Sequence, residues 1–397
     1  MEVKLIMKSA RNAVIEIADG GIYNTKETYH VLLNGEEVFS TDTVINSLFD
    51  LKPQTSYEVS VRTADGTELG TVSFVTAYEF VTLNVRDFGA TGDGKQDDTK
   101  FIQAAILACP KESRVLIPKG SYRITSLFLK SNLRLELAKG AELIADTDRA
   151  AYPKFPGMIE SYDEQGEYNL GTWEGNPLPM FAGIITGLDV ENVLIYGRGT
   201  INGNASKENW WKNPKVMVGA FRPRLFFLSH CQNVTLCGVT FKNSPSWTLH
   251  PYFSDNLKFY GLTINNPSDS PNTDGLDPES CKNVDIVGVK FSLGDDCIAV
   301  KSGKIYMGKK YRTPSENIHI RQCLMENGHG AVTVGSEMAG GQKSGRGRMP
   351  VLRYRPGTTY QDTQRTGKRC RFRSDYFPEN RYGSGYDAVC DKLFLFL

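Results

Sequence analysis

The chain has 397 residues, 40% of them hydrophobic, and a formal net charge of +1. That is enough apolar material for a sizeable core, in one large domain plus a small one. No apolar run reaches the ~18 residues of a membrane span, which excludes an integral helical membrane protein and leaves no membrane partner expected.

The small net charge conceals an asymmetry. Residues 342–397 hold 12 Lys+Arg against 5 Asp+Glu, net +7, so the remainder carries −6. Such a switch marks a boundary. The eight cysteines include no CxxC pair, so the usual metal-site spacing is absent. Cys231 and Cys281 occupy equivalent places in a repeat and are expected to be reduced thiols stacked in a core ladder.

In chain order, the stretch MEVKLIMKSARNAVIEIADGG has neither an apolar h-region nor a small-residue cleavage pattern. It predicts a cytoplasmic protein or a mature form. Residues 1–82 alternate apolar and polar, with hairpin signals at Asn34-Gly35 and Asp65-Gly66. The run LKPQTSYEVSV resembles the strand entry of fibronectin type III domains, and implies that the Tyr57 hydroxyl ties down a corner. A seven-stranded β-sandwich with a positional role follows.

Asp98 reads as the N-cap of a helix with Phe101, Ile102, Ala105, Ile106 and Cys109 on its apolar stripe. Such a helix can close the open end of a solenoid. From about 115 onward the chain repeats itself. CQNVTLCGVTFKN, SDNLKFYGLTINN, CKNVDIVGVKFSL and SENIHIRQCLMEN each begin near an asparagine, and Asn233, Asn256, Asn283 and Asn317 are 23, 27 and 34 residues apart. Short strands at that period predict a β-solenoid whose variable turns build one face of a groove. The reading is all-β, with domains at 1–82, 83–341 and 342–397.

NTDGLDP places Asp274 and Asp277 one coil before Asp295-Asp296, since Asp274 and Asp295 are 21 residues apart. ENGHGAV adds His329 a coil later, between glycines that let the backbone approach a ligand. Carboxylates gathered on a long groove fit glycoside hydrolysis. One must be protonated to release the leaving oxygen, and another ionised to activate water. Mutual repulsion raises one pKa, and the titration belongs to the cluster. Trp210 and Trp211 read equally well as sugar platforms or as core.

NTDG, GDD, GHG and the following VTVGSE resemble the motifs of glycoside hydrolase family 28, the polygalacturonases, over roughly 85–341. The resemblance implies a right-handed parallel β-helix and inverting hydrolysis of α-1,4-galacturonan without a cofactor or metal. It makes Asp295 the general acid, Asp274 and Asp296 the holders of the nucleophilic water, and His329 the residue that tunes the acid. Asn272 and Lys301 fall at substrate-binding positions. GTWEGNP (171–177), RPRLFF (222–227) and the N-terminal sandwich resemble the exo-acting bacterial branch. Inversion predicts acid and base carboxyls roughly 6.5–9.5 Å apart. A pectate lyase-like enzyme and a non-catalytic carbohydrate-binding β-helix are the alternatives.

After Gly341 the repeats stop, isoleucine vanishes and nine arginines appear by 397. The basic tail shows no aromatic-basic alternation, so no nucleic-acid partner is expected. Family members carry an Arg-Ile-Lys motif one or two coils after GHG, and this chain has none. A back-translation of Tyr354–Thr363 exists whose one-base-shifted frame reads TDRGLRIKT. The expectation is therefore out-of-frame translation from about 341–342, no regular coils in 342–397, and impaired activity. The sequence sets no oligomeric state.

Overall fold

The computed structural model describes residues 2–341 and, beyond them, the backbone of three short strands, Leu352–Tyr354, Thr359–Gln361 and Arg369–Arg371.

The first 75 residues form the expected sandwich of seven antiparallel strands. One sheet orders Glu2–Lys8, Ala13–Ala18 and Ile45–Leu48, and the other orders Glu36–Thr43, Asn24–Leu33, Ser56–Arg62 and Glu68–Val75. Asn34 and Gly35 both take positive φ, at 52° and 86°, as a type I′ hairpin turn requires. The backbone N–H of Lys52 donates to the Tyr57 hydroxyl at 2.9 Å, so the tyrosine does tie the corner. Val14, Val44 and Ile45 pack on Tyr196, Cys237, Tyr260 and Val287 of the following domain. Arg321 and Gln322 donate to Glu16 across the same seam. Two clefts, about 460 and 320 Å³, open along that seam, and neither is lined by Asp274, Asp295 or Asp296.

From Thr82 the chain winds as a right-handed parallel β-helix with three sheets. Parallel strands buried inside a coil need an unbroken apolar rung, and the sequence supplies it. Leu135, Ile195, Leu236, Phe259, Ile286 and Ile320 stand in register one above the next, almost wholly buried. Burying each side chain contributes ~1.5–3 kcal/mol before entropy is counted. The outer turns carry the asparagine ladder. Asn132, Asn192, Asn233, Asn256, Asn283 and Asn317 all sit near φ +55°. Their amides donate down the stack, Asn192 to Asn132, Asn233 to Asn192, Asn256 to Asn233 and Asn317 to Asn283. One rung differs, because Asn283 donates to Asp255.

Two expectations need correction here. Cys231 and Cys281 are free buried thiols, but they do not stack on one another. Ser254 fills the coil between them, and its hydroxyl accepts from the Cys231 N–H. The helix Thr99–Ala108 does cap the solenoid, burying Ile102, Ala105 and Ile106. Its N-cap Asp98 bonds no helical N–H. The carboxylate accepts instead from the N–H groups of Thr91 and Gly92, which fixes the loop before the helix.

The tail departs from expectation at two strands. Leu352–Tyr354 pairs parallel with Glu316–Arg321, and Thr359–Gln361 pairs parallel with Leu324–Glu326. An open parallel edge presents unpaired N–H and C=O groups, which template a further rung. Arg369–Arg371 pairs antiparallel with Thr359–Gln361. The other residues of 342–397, and with them the reading-frame expectation, lie outside the described residues.

Candidate active site

The third sheet positions the chemistry. It runs through Ile185–Leu188, Phe226–Ser229 and Leu249–Tyr252, then through bridges at Leu276 and Glu279 to Ile298–Val300 and Val332–Val334. Asp274, Asp295-Asp296 and His329 occupy the turns just before three successive strands of this sheet. Backbone bonds lock those turns together. Gly275 N–H donates to the Asp296 carbonyl at 2.9 Å, and Cys297 N–H to the Gly330 carbonyl at 2.8 Å. The coil spacing therefore becomes proximity. One oxygen each of Asp274, Asp295 and Asp296 lies within 4.8 Å of the others.

The three carboxylates differ in setting. Asp274 is 4% exposed, and its Oδ1 accepts no hydrogen bond among the described residues. Burial, then the Asp295 charge, push its carboxyl well above the usual range, against the pull of Lys301. Asp296 is buried and accepts from the Thr333 hydroxyl at 3.0 Å. Asp295 is the outermost, with a side chain 20% exposed and its Oδ1 3.3 Å from Nδ1 of the exposed His329. The His329 N–H also donates to the Asp295 carbonyl at 2.8 Å.

The glycines beside His329 serve a closer approach than the one expected. A Cβ on Gly330 would fall 2.8 Å from Asp296 Oδ1, and one on Gly328 2.9 Å from Cys297 Sγ. The chain packs there against its own aspartate turn.

The two expected substrate-binding residues are both tied to protein partners. Lys301 is 3% exposed, so its ammonium is held inside the fold. Its Nζ donates to Glu337 Oε2 at 2.9 Å, lies 3.9 Å from Asp274 Oδ2 and stands 4.4 Å from the Trp247 ring centroid. A lysine has to leave the surface to neutralise buried carboxylates, and a strand on the covered face takes it there. Asn272 is half-buried, and its Oδ1 accepts from Arg222 at 2.7 Å. Trp210 and Trp211 are core. Trp210 packs edge-on to Tyr152 and Phe181, and Trp211 donates to the Ser244 carbonyl.

The carboxyl spacing expected for inversion is also not what the nearest oxygens give, because three carboxylates share one corner and two are sequence neighbours. The same oxygens could converge on a cation, but the Lys301 ammonium already supplies positive charge beside them.

Sequence reasoning named Asp277 but missed the rest of the layer behind the cluster. His250 accepts from Arg224 at Nδ1 and so donates through Nε2 to Glu279 at 2.9 Å, and Arg224 lies between the Trp173 and Trp247 rings. Burial pushes the Glu279 carboxyl up to about 8 and the Arg224 guanidinium down to about 10. Asp277 is wholly buried, and neither of its oxygens accepts a hydrogen bond among the described residues. The alternation of outward residues along each strand, His250 then Tyr252 and Asp277 then Glu279, was the available signal.

Residues 161–346 match the family model for glycosyl hydrolases family 28, and 82–139 match that for rhamnogalacturonase A/epimerase, pectate lyase-like. A probable polygalacturonase of Vitis vinifera is 34% identical over 64% of this chain and 51% of its own length. The exo-poly-alpha-D-galacturonosidase of Dickeya chrysanthemi is 26% identical over 73% of this chain and 54% of its own. The chain thus spans about half the length of the curated relatives it matches. Among solved structures, the family 28 exopolygalacturonase of Yersinia enterocolitica shares the fold at a TM-score of 0.62 and 24% identity, covering 84% of this chain and 70% of that one. A hyperthermoactive exopolygalacturonase from Thermotoga maritima gives 0.58 at 28% identity, over 72% and 67%. The stretch that carries the stacked NTDG, GDD and GHG turns thus matches glycosyl hydrolases family 28 over residues 161–346.

Proposed function

We propose that this chain hydrolyses α-1,4-galacturonosidic bonds of polygalacturonate from a chain end. The observation that carries the reading is the convergence of Asp274, Asp295 and Asp296 within 4.8 Å, with only Asp295 opening onto His329 and solvent. Asp295 gives its proton to the glycosidic oxygen. Asp274 and Asp296 hold the water that attacks the anomeric carbon, and one of them takes its proton. His329 orients and tunes Asp295.

Support for end-on attack comes from what covers the third sheet. The segment 153–183 and the helix Ile305–Tyr311 close over its outer face, burying Phe155, Met180, Phe227, Tyr252 and Met307 together. Trp173 stacks on Phe221 at 4.7 Å, and Gly175 accepts at its carbonyl from Lys304 N–H. A polymer cannot lie along a covered face, so it presents an end. Chromatography of products from polygalacturonate tests this: monomer from the first minutes supports it, and an early ladder of oligomers refutes end-on action. Ultraviolet-absorbing unsaturated ends in place of saturated products would make it a lyase.

Inversion is kept from the family resemblance despite the tight carboxyl spacing. The water then enters between Asp274 and Asp296, opposite the leaving group, and the first product is the β-anomer. An α-anomer first seen by NMR overturns this step.

We propose further that 342–397 is read out of frame and that the missing Arg-Ile-Lys limits activity. Charge-assisted contacts of that kind contribute ~1.5–3 kcal/mol each. Resequencing the gene, and assaying a frame-restored chain beside this one, tests it. Equal activity of the two chains refutes it.

A further inference from the structure

We propose that Lys301 is a positioning residue that favours the ionised form of Asp274 within the carboxylate cluster, and that Glu337 sets how much of the Lys301 charge Asp274 receives. The proposal rests on the hydrolytic reading above and deepens it.

The need arises from burial. Three carboxyls within 4.8 Å cannot all ionise freely, so they share protons. Left to burial alone, the proton would go to Asp274, the member farther from solvent. That is the wrong carboxyl. A protonated Asp274 cannot accept a proton from water, and an ionised Asp295 cannot protonate a leaving oxygen.

The groups facing Asp274 decide the outcome. Asp295 and Asp296 face it from the next coil, and Asp277 from its own turn, all repelling its charge. Arg222 and Arg224 face it from the preceding coils, but their guanidinium groups are bound elsewhere. Arg222 donates to the carbonyls of Pro245 and Pro271 and to Asn272 Oδ1, and Arg224 to Ser246 Oγ, His250 Nδ1 and the Thr172 carbonyl. Lys301, from the strand side, is the cation that approaches the carboxylate, at 3.9 Å.

Lys301 is in turn divided. Burial works against its charge, and Asp277, Glu337 and Asp274 outweigh burial to hold the ammonium. Glu337 takes the direct hydrogen bond at 2.9 Å, and burial of its carboxyl is overcome by that contact. Glu337 is itself fixed. Ser336 Oγ donates to its Oε1, Ser302 N–H donates to its carbonyl, and Gly175 packs so tightly that a Cβ there would fall 2.7 Å from Glu337 Cγ. Lys304 Nζ lies 3.6 Å from Oε1. The Trp247 ring lies 4.4 Å from the ammonium, and Lys301 is 3% exposed.

The experiment is a carbonyl-13C NMR pH titration of the full chain labelled at aspartate side-chain carboxyls, with Asp274→Asn and Asp295→Asn spectra giving the assignments. Lys301→Met should raise the Asp274 midpoint by about one pH unit or more, since a nearby opposite charge shifts a carboxyl by ~1–3 units. Lys301→Arg should keep the midpoint near that of the parent. Glu337→Gln, nearly isosteric, should lower the Asp274 midpoint, and it carries the test if Lys301→Met fails to fold. Midpoints unmoved in Glu337→Gln and in every folded Lys301 variant overturn the proposal. A parallel polygalacturonate assay separates the two readings. If neither the parent nor the frame-restored chain releases product, the hydrolytic reading fails while the titration still reports on the pair. If it does, Glu337→Gln should shift the acidic limb of kcat/KM downward with KM unchanged, and a change in KM alone overturns a positioning role.

Discussion

The asparagine ladder and the carboxylate stack are the same device with opposite electrostatics. Both arise because one coil sets equivalent residues above one another. In the ladder each amide offers a donor to its neighbour's acceptor, so stacking satisfies polar groups at a turn that needs positive φ. In the stack, Asp274, Asp295 and Asp296 offer only acceptors, so stacking creates repulsion that burial strengthens. A repeat that stabilises one edge of the solenoid strains the other, and the strained edge holds the chemistry.

The largest expected effect comes from breaking the stack at its open end. Asp295→Asn removes the proton donor but keeps size and hydrogen-bonding shape. Turnover on polygalacturonate, measured by reducing ends, should fall by ~10²–10⁴-fold, with an unchanged circular dichroism spectrum. Near-parent turnover would take the acid role from Asp295.

Next is the layer behind the stack. Glu279 is wholly buried, and burial together with the nearby Glu337 charge pushes its carboxyl from 4.5 up to about 8, against the pull of Lys301 and Arg224. A carboxyl that binds its proton more tightly folded than unfolded supports the fold at acid pH. That support is complete below the unfolded value and drains away as pH rises through the folded one. Glu279→Gln keeps an acceptor for His250 without the ionisation. Its stability in urea should therefore fall less than the parent's between pH 4.5 and about 8. Parallel curves would mean that Glu279 does not titrate in this window.

These two predictions draw on different amounts of sequence information. The solenoid, the ladder and the Asp274–Asp295–His329 alignment were legible, because coil spacing turns sequence distance into contact. The burial of Lys301 and the identity of Glu337 as its partner were not. Both depend on how 171–177 and the helix Ile305–Tyr311 fold back over the sheet, and such insertions follow no repeat. Trp211 was undecidable for the same reason, since only the fold brings its indole N–H to the Ser244 carbonyl. Asp98 misled more subtly. Its type and place fit an N-cap, yet two loop N–H groups compete for its carboxylate and win.

The smallest effect comes from the satisfied edge. Asn256 is exposed, sits at φ 53° and donates to Asn233 Oδ1 at 2.6 Å. Asn256→Ala loses that bond, which contributes ~0.5–1.5 kcal/mol. It also forces a Cβ without local hydrogen bonding into the left-handed region, at ~1 kcal/mol. Asn256→Gly loses the same bond but meets no left-handed penalty, so comparing the two separates the ladder from the turn. Urea melts should rank parent above Gly above Ala, with turnover unchanged in both variants. If Gly and Ala destabilise equally, the asparagine is there for its amide alone. If Gly matches the parent, the turn conformation is the whole reason and the ladder bonds contribute nothing. Either result would narrow what distinguishes this edge from the carboxylate stack, where the same coil spacing sets three carboxylates side by side.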